Sequence, residues 1–474
     1  ELTGIKFFTD VIPFARQIHL AVALFLAAMA YPLFSSSSRH SIPWYDWILG
    51  IAGIVSCLYM FVFYAEMSNR AGLPTMTELV ISSVGIGVMM VATYRALGVP
   101  LLIVASVFLI YVFFGNQPFI PDVVQWKGAS YDKAMWHFWL SEEGVFGIAL
   151  GVSTKFVFLF VLFGALLDKA GAGNYFIKMA FGALGHLRGG PAKAAVVGSA
   201  ATGLISGSSI ANVVTTGTFT IPLMKRVGFT SEKAGAVEVA SSVNGQIMPP
   251  VMGAAAFLMV EYVGISYVEV ITHAFLPAAI SYIALVYIVH LEAVKQNMPT
   301  LGDRVVSLGR TIGGMFAFFA GFAALCYAVQ YPVGWIVAAM PEGSGMVLSA
   351  LLFAAYVALL WLAALVPDLE PDDPNAEEVR LPEVGEIYKA GLYFLLPIVV
   401  LVYFLMIEQK SPGLSAFWAS ALLFVILLTQ RPLKTMFRGE SDMANAFRAG
   451  VVDLVSGLIA GARNMIGIGL ATAT

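Results

Sequence analysis

Charge is scarce in this sequence. Asp, Glu, Lys and Arg make up 12% of its 474 residues, against about 25% in an ordinary soluble domain. The formal net charge is −3, so there is no basic footprint to attract a phosphate backbone, and nucleic acid is excluded as an expected partner. Cysteine is almost missing as well. Cys57 and Cys326 lie far apart in apolar segments, without the spacing of a metal site, and read as packed thiols that say nothing of redox compartment. No G-x-x-x-x-G-K-[ST], H-E-x-x-H, C-x-x-C or G-x-S-x-G occurs. ATP hydrolysis, zinc proteolysis, thiol redox chemistry and serine hydrolysis therefore have no residues to act through, and the chain does not read as an enzyme. Gly189-Gly190-Pro191-Ala192-Lys193 shares only its glycines and lysine with a phosphate loop. Residues 1–16 are mixed in charge and do not read as a cleavable signal.

Apolar sequence is what the chain has instead, at 59% of residues. Runs long enough to cross about 30 Å of hydrocarbon recur along it, which predicts an all-α polytopic integral membrane protein surrounded by lipid. Four spans come first, near 17–34, 44–65, 79–97 and 100–115. Short links such as 35–43 and 67–74 make neighbouring spans antiparallel. A polar, aromatic stretch follows at 116–143, in which 131–140 reads as a helix lying at the interface. Three regions result: a four-helix domain at 1–120, a connecting interfacial segment at 121–145 and a large region at 146–474. The large region opens with a span near 146–167 and a basic link through Lys169, Lys178, Arg188 and Lys193. Later spans are expected near 271–290, 312–330, 346–366, 392–406 and 416–428. An acidic loop at 368–386 and a basic one at 431–448 separate the last of them. Basic residues place the links 225–233 and 295–310 on the cytoplasmic side. A final apolar run from about Val451 is cut off at Thr474, so the chain reads as a fragment.

Two interruptions stand out. Between Gly203 and Pro222 a Gly/Ser turn, an asparagine and four threonines sit inside membrane-hydrophobic sequence. Lipid offers a non-helical backbone no hydrogen-bond partners, so such a break survives only within protein or beside a wet cavity. The apolar arms on either side, 192–205 and 211–224, are each too short to span, and basic residues mark their outer ends. This predicts a re-entrant helical hairpin. A second break, at 243–250, carries Asn244, Gln246 and Pro249-Pro250 inside the apolar run 234–263. Each proline removes a donor and clashes with the preceding turn, so this transmembrane helix is expected to be discontinuous. Broken helices expose carbonyls and helix ends that suit cations and carboxylates. If the two breaks meet, Ser209 Oγ, Asn212 Oδ1 and the carbonyls of Gly245 and Met248 would form an all-oxygen cage of low charge, suited to Na+ rather than to a divalent metal. Ser206, Ser208, Asn244 and Gln246 are then candidates for binding a small carboxylate. Asn212 follows Ser209 by three residues, so both side chains are expected on one side of the second arm, and Asn212→Ala is expected to change the sodium requirement while leaving stability near wild type. Packing offers a plainer account of Gly203-x-x-x-Gly207, since small residues let membrane helices approach, and of the prolines as a structural kink. Lys155, Glu238, Glu261 and Asp453 read as paired or interfacial charges, Glu238 and Glu261 near span ends.

Gly207-Ser208-Ser209-Ile210-Ala211-Asn212, followed by Asn244-Gly245-Gln246-Ile247-Met248-Pro249-Pro250, resembles the large membrane subunit of TRAP transporters, the tripartite ATP-independent periplasmic transporters. Gly189 to Lys193 and Asn212 to Gly217 are most similar to the fused permeases that work with TAXI-type binding proteins, and the four leading spans resemble a fused small subunit. The resemblance implies a bacterial cytoplasmic (inner) membrane permease with an elevator-type mechanism. In such a permease a fixed scaffold supports a mobile domain that carries Na+ and an organic acid, delivered by a periplasmic binding protein. It further implies that Ser209 and Asn212, with the carbonyls of Gly245 and Met248, hold the first sodium ion. A second repeat would begin near Leu392, and its hairpin would lie beyond residue 474. The rival reading is a standalone sodium/dicarboxylate symporter that needs no binding protein.

Overall fold

The computed structural model describes residues 14–34, 37, 41–298, 300, 331–336, 338–340, 343–369 and 384–474. The expected span at 312–330, Cys326 and most of the loops at 295–310 and 368–386 lie outside the described residues. All regular structure among the described residues is helical. Among the described residues, eight helices are long and apolar enough to cross a membrane, and the chain forms two compact units.

The first unit comprises residues up to 165, 253–272 and 458–474. Its helices α1 (Ala15–Ala30), α2 (Trp44–Val62) and α4 (Met76–Leu97) follow the expected spans closely, with a short α3 (Tyr64–Ser68) between α2 and α4. Small residues set their spacing: a Cβ on Gly53 would stand 3.1 Å from Leu24 Cβ. Helix α4 starts at a capping box, in which Thr75 receives the Glu78 amide and the Glu78 carboxylate receives the Thr75 amide, satisfying two donors that a helix start leaves free. Helix α5 (Val99–Phe114) buries none of its residues, as a helix turned to lipid should. The short helix α6 (Tyr131–Trp139) does more than lie along a surface. Trp139 is 1% exposed, fills the notch above Gly85 and donates to the Ser56 carbonyl at 3.0 Å. In α12 (Ala254–Val263), Phe257 stacks on Tyr267 with ring centres 4.6 Å apart.

The second unit comprises residues 166–252 and 273–457. Helix α7 (Ile148–Ala170) enters it. The expected basic link is itself largely helical, forming α8 (Ala172–Leu184) after Gly171 at φ 110°. Then come α9 (Gly190–Ser206) and α10 (Ser209–Arg226), joined by two residues. Pro191 sits at the start of α9, where its missing N–H costs nothing, and Gly207 ends it at φ 57°, the left-handed conformation that glycine adopts freely. Ser208 caps α10 by accepting the Ala211 amide at 3.3 Å. These arms of 17 and 18 residues extend about 26 Å each at a rise of about 1.5 Å per residue. Helix α11 (Ser231–Asn244) ends in a 3₁₀ turn over Gly245–Ile247, and regular helix resumes only at Ala254. The discontinuity expected from the paired prolines is present.

The remaining helices long enough to span are α13 (Tyr267–Lys295), α14 (Ser344–Ala364), α15 (Val384–Ile407), α16 (Pro412–Arg438) and α17 (Met443–Ala473). The basic stretch 431–448, expected as a loop, mostly continues α16 and starts α17. Three of its cations find partners: Arg438 and Lys434 reach Asp368 at 3.0 Å, and Arg431 reaches Asp453 at 2.7 Å. Paired in this way, they no longer require a loop in water.

Candidate functional site

The hairpin is held together by side chains from its two arms. Asn212, 1% exposed, reaches across to α9. Its Oδ1 accepts from Thr202 Oγ1 at 2.5 Å, and its Nδ2 donates to the Ser199 carbonyl at 3.1 Å and to Ser199 Oγ at 2.9 Å. A side-chain amide in an apolar interior must find such partners or pay the cost of losing water. The second break approaches the same place. A Cβ on Gly203 would stand only 2.7 Å from Gly245 Cα, and one on Gly245 would stand 3.4 Å from Asn212 Nδ2. Glycine at both positions therefore lets two backbones touch beside the Asn212 amide, which a packed residue of any other type would prevent.

The expected ligands are divided between two levels. Asn212, Gly245 and Gly203 meet in the buried junction. Ser209 turns to the rim, where its Oγ accepts from Gln246 Nε2 at 2.7 Å. Three residues along a helix leave a 60° offset, and Thr202 and Ser199 on α9 hold Asn212 inward while Ser209 faces the unwound turn. Ser209 and Asn212 thus point in different directions, contrary to the expectation that they share a side. The Gly245 carbonyl accepts from the Met248 amide at 3.2 Å, which uses one of its two lone pairs. Met248 is half-buried and packs beside the cluster formed by Ala192, Val196, Tyr282 and their neighbours. Ser206 Oγ donates to the Ser208 carbonyl at 3.4 Å, Ser208 is committed to capping, and Asn244 is the half-buried last residue of α11.

Around this junction lies a polar seam that the sequence motifs did not single out. Asn212, Thr216 and Thr220 are spaced four residues apart along α10, all buried on one face. Opposite them, Glu238, Ser241 and Ser242 of α11 are fully buried. Glu238 is therefore enclosed by protein rather than exposed as an interfacial charge. Tyr282 of α13 closes the seam by donating to the Ser241 carbonyl at 2.9 Å. The signal was present in the i, i+4, i+8 repeat of Asn212, Thr216 and Thr220, and in a carboxylate four residues before Ser242. Among the described residues, no group of three or more His, Cys, Asp or Glu side chains converges to hold a metal.

The seam falls inside the stretch that resembles known proteins. The family described as "Tripartite ATP-independent periplasmic transporter, DctM component" matches residues 84–308, which contain both breaks and the whole hairpin. The chain is DctM-like there. It is 34% identical over 91 residues to the C4-dicarboxylate TRAP transporter large permease protein DctM of Rhodobacter capsulatus, covering 19% of this chain and 21% of that one. It is 24% identical over 191 residues to the ectoine TRAP transporter large permease protein TeaC of Halomonas elongata, covering 36% and 44%. An uncharacterized protein of Sinorhizobium fredii, y4mL, is 28% identical over 138 residues, covering 29% and 32%. The chain thus spans between about a fifth and under a half of the length of these relatives. The DctM-like match and the TRAP permeases concern transporters rather than enzymes. With eight helices among its described residues long and apolar enough to cross a membrane, the protein is a polytopic bacterial inner-membrane protein whose residues 84–308 are similar to TRAP large permeases.

Proposed function

We propose that this protein is the membrane permease of a sodium-coupled secondary transporter, importing a small organic acid handed to it by a periplasmic binding protein of TAXI type. The observation that carries this reading is the junction of hairpin and broken helix. Gly203 and Gly245 bring two irregular backbones together beside Asn212, inside the DctM-like stretch. Such a junction supplies neutral oxygens and helix ends without fixed charge, which suits a monovalent cation and a carboxylate. Na+ is assigned to Ser209 Oγ, Asn212 Oδ1 and the Gly245 and Met248 carbonyls. Closing that cage requires Ser209 to leave Gln246 and turn inward. Ser206, Ser208, Asn244 and Gln246, lying around the hairpin turn and the end of α11, are assigned to the acid. The mechanism is of elevator type, with the hairpin in the moving part and the four leading helices as a fused small subunit in the scaffold.

The test is uptake into proteoliposomes by the full-length permease, with its soluble partner added and a sodium gradient imposed. Labelled organic acid should accumulate only when both are present, and Ser209→Ala should raise the half-saturating sodium concentration several-fold. Accumulation that needs no soluble partner would replace this reading with a standalone symporter. Accumulation indifferent to sodium would remove the ion assignment.

A further inference from the structure

Three carboxylates among the described residues are exposed by 1% or less: Asp46, Glu78 and Glu238. Asp46 pairs with Arg95 at 2.8 Å and Glu78 with Arg70 at 2.9 Å. Among the described residues Glu238 has no basic partner, and hydroxyl groups alone reach it. Thr216 donates to its Oε1, Thr220 lies 2.5 Å from its Oε2, and Ser242 lies 3.2 Å from Oε1. The charged groups of the surrounding helices are turned elsewhere. Lys193 on α9 meets His290 at 3.0 Å, Lys233 on α11 pairs with Glu292 of α13, and Lys225 and Arg226 stand at the far end of α10. The one titratable neighbour on α13 facing the seam is Tyr282, whose hydroxyl is spent on the Ser241 carbonyl. A buried carboxylate without a countercharge is costly, and a group so placed neutralises itself unless a cation arrives.

The hydroxyls around Glu238 have a further property. Thr216 Oγ1 also lies 2.8 Å from the Asn212 carbonyl, and Thr220 Oγ1 lies 3.0 Å from the Thr216 carbonyl. Each hydroxyl has one proton and two acceptors in reach. With the carboxylate ionised, both protons point at it. With the carboxyl protonated, it donates to one threonine oxygen and that threonine donates back to its own helix carbonyl. Neither state leaves a buried donor unmatched. Gly217 makes room for this, since a Cβ there would stand 3.1 Å from Glu238 Cγ. A path also runs from Glu238 to the hairpin amide: Ser242 Oγ lies 3.2 Å from Ser199 Oγ, which accepts from Asn212 Nδ2 at 2.9 Å.

We propose that Glu238, set among Thr216, Thr220 and Ser242, is a reversible proton-binding site, and that its occupancy is linked through Ser242 and Ser199 to Asn212. The proton site stands on the geometry alone; only the linkage to sodium rests on the function proposed above. Proton binding at the carboxylate favours one direction of the Ser242–Ser199 hydrogen bond and proton release favours the other, so the acceptor capacity that Ser199 Oγ offers the Asn212 amide depends on the state of Glu238.

The experiment is infrared difference spectroscopy of the purified full-length permease between acidic and alkaline buffer, without sodium or substrate. A protonated-carboxyl C=O band should titrate in the wild type and disappear in Glu238→Gln, whose amide keeps one acceptor and fits the same hydroxyls. Glu238→Asp should shift that band, which serves as the readout if the glutamine variant fails to fold. A band that titrates unchanged in either folded variant overturns the proton site. So does the absence of any titrating band. Binding of ²²Na⁺ then tests the linkage: its pH dependence in the wild type should flatten in Glu238→Gln. An unchanged pH dependence overturns the linkage, and a complete lack of sodium binding in the wild type counts against the sodium reading while leaving the proton result standing.

Discussion

At the scale of single residues, the junction changes what a substitution at Asn212 should do. Asn212 carries three hydrogen bonds inside the hairpin, so Asn212→Ala should cost about 1–3 kcal/mol of stability from buried groups left without partners. Stability near wild type, expected when only an ion was considered, is no longer the outcome. Ser209 has one partner, the exposed Gln246, and Ser209→Ala should stay within about 0.5 kcal/mol of wild type. Unfolding of the two variants in detergent, followed by circular dichroism, checks the ordering. Outside the spans, Asp368 offers a separate test. Partial burial would raise its pKa, but the Arg438 hydrogen bond and the attraction of Lys434 outweigh it and hold the carboxyl below its ordinary value. A depressed carboxyl stabilises the fold above its unfolded pKa of about 3.9, and that contribution is lost as pH falls through the folded value. Asp368→Asn should therefore lower stability at neutral pH and flatten the acid limb of the stability profile below about pH 4. Equal slopes for the two proteins on that limb would contradict the pairing.

At the scale of elements, the close approach of α9 to the turn after α11 depends on absent side chains. Gly203→Ala places a Cβ 2.7 Å from backbone, which cannot rotate away, and overpacking of this kind costs about 1–3 kcal/mol. Gly235, in the interior of α11, has nothing within 4 Å of its would-be Cβ. Gly235→Ala should gain up to about 1 kcal/mol from helix propensity. Opposite shifts of the thermal midpoint in these two variants would support the fold at the junction, and a neutral Gly203→Ala would refute the backbone contact. Element boundaries were least legible where charge was read as loop. The link after α7 becomes α8, and α16 runs to Arg438 because Asp368 and Asp453 lie where its cations can pair.

At the scale of the whole molecule, the spans differ in how much they bury. Residues of α5 are all at least partly exposed, and Ser344–Ala364 buries only 17% of its most apolar window. Surfaces of that kind belong against lipid, where no water has to be displaced. Trp361 on α14 is 51% exposed, while Trp139 of α6 is 1% exposed. In single-tryptophan variants reconstituted with brominated lipid, fluorescence from Trp361 should be strongly quenched and that from Trp139 nearly unaffected. Equal quenching of both would mean that α6 is not packed into its unit as described.

The sequence by itself determined the class of this protein. Long apolar runs with few charges allow only helices, because each satisfies its own backbone in lipid. It also placed the two breaks, since Gly207, Pro249 and Pro250 constrain the backbone locally, whatever surrounds them. Tertiary structure decided which polar side chains meet. Asn212 could have faced Ser209 or α9, and Ser199 and Thr202 on the facing helix settled it. Glu238 reads along the chain as a charge near a span end, and only the packing of α10 against α11 encloses it with Thr216 and Thr220. Burial and partnership are relations between segments distant in sequence, so the composition of one segment could not reveal them.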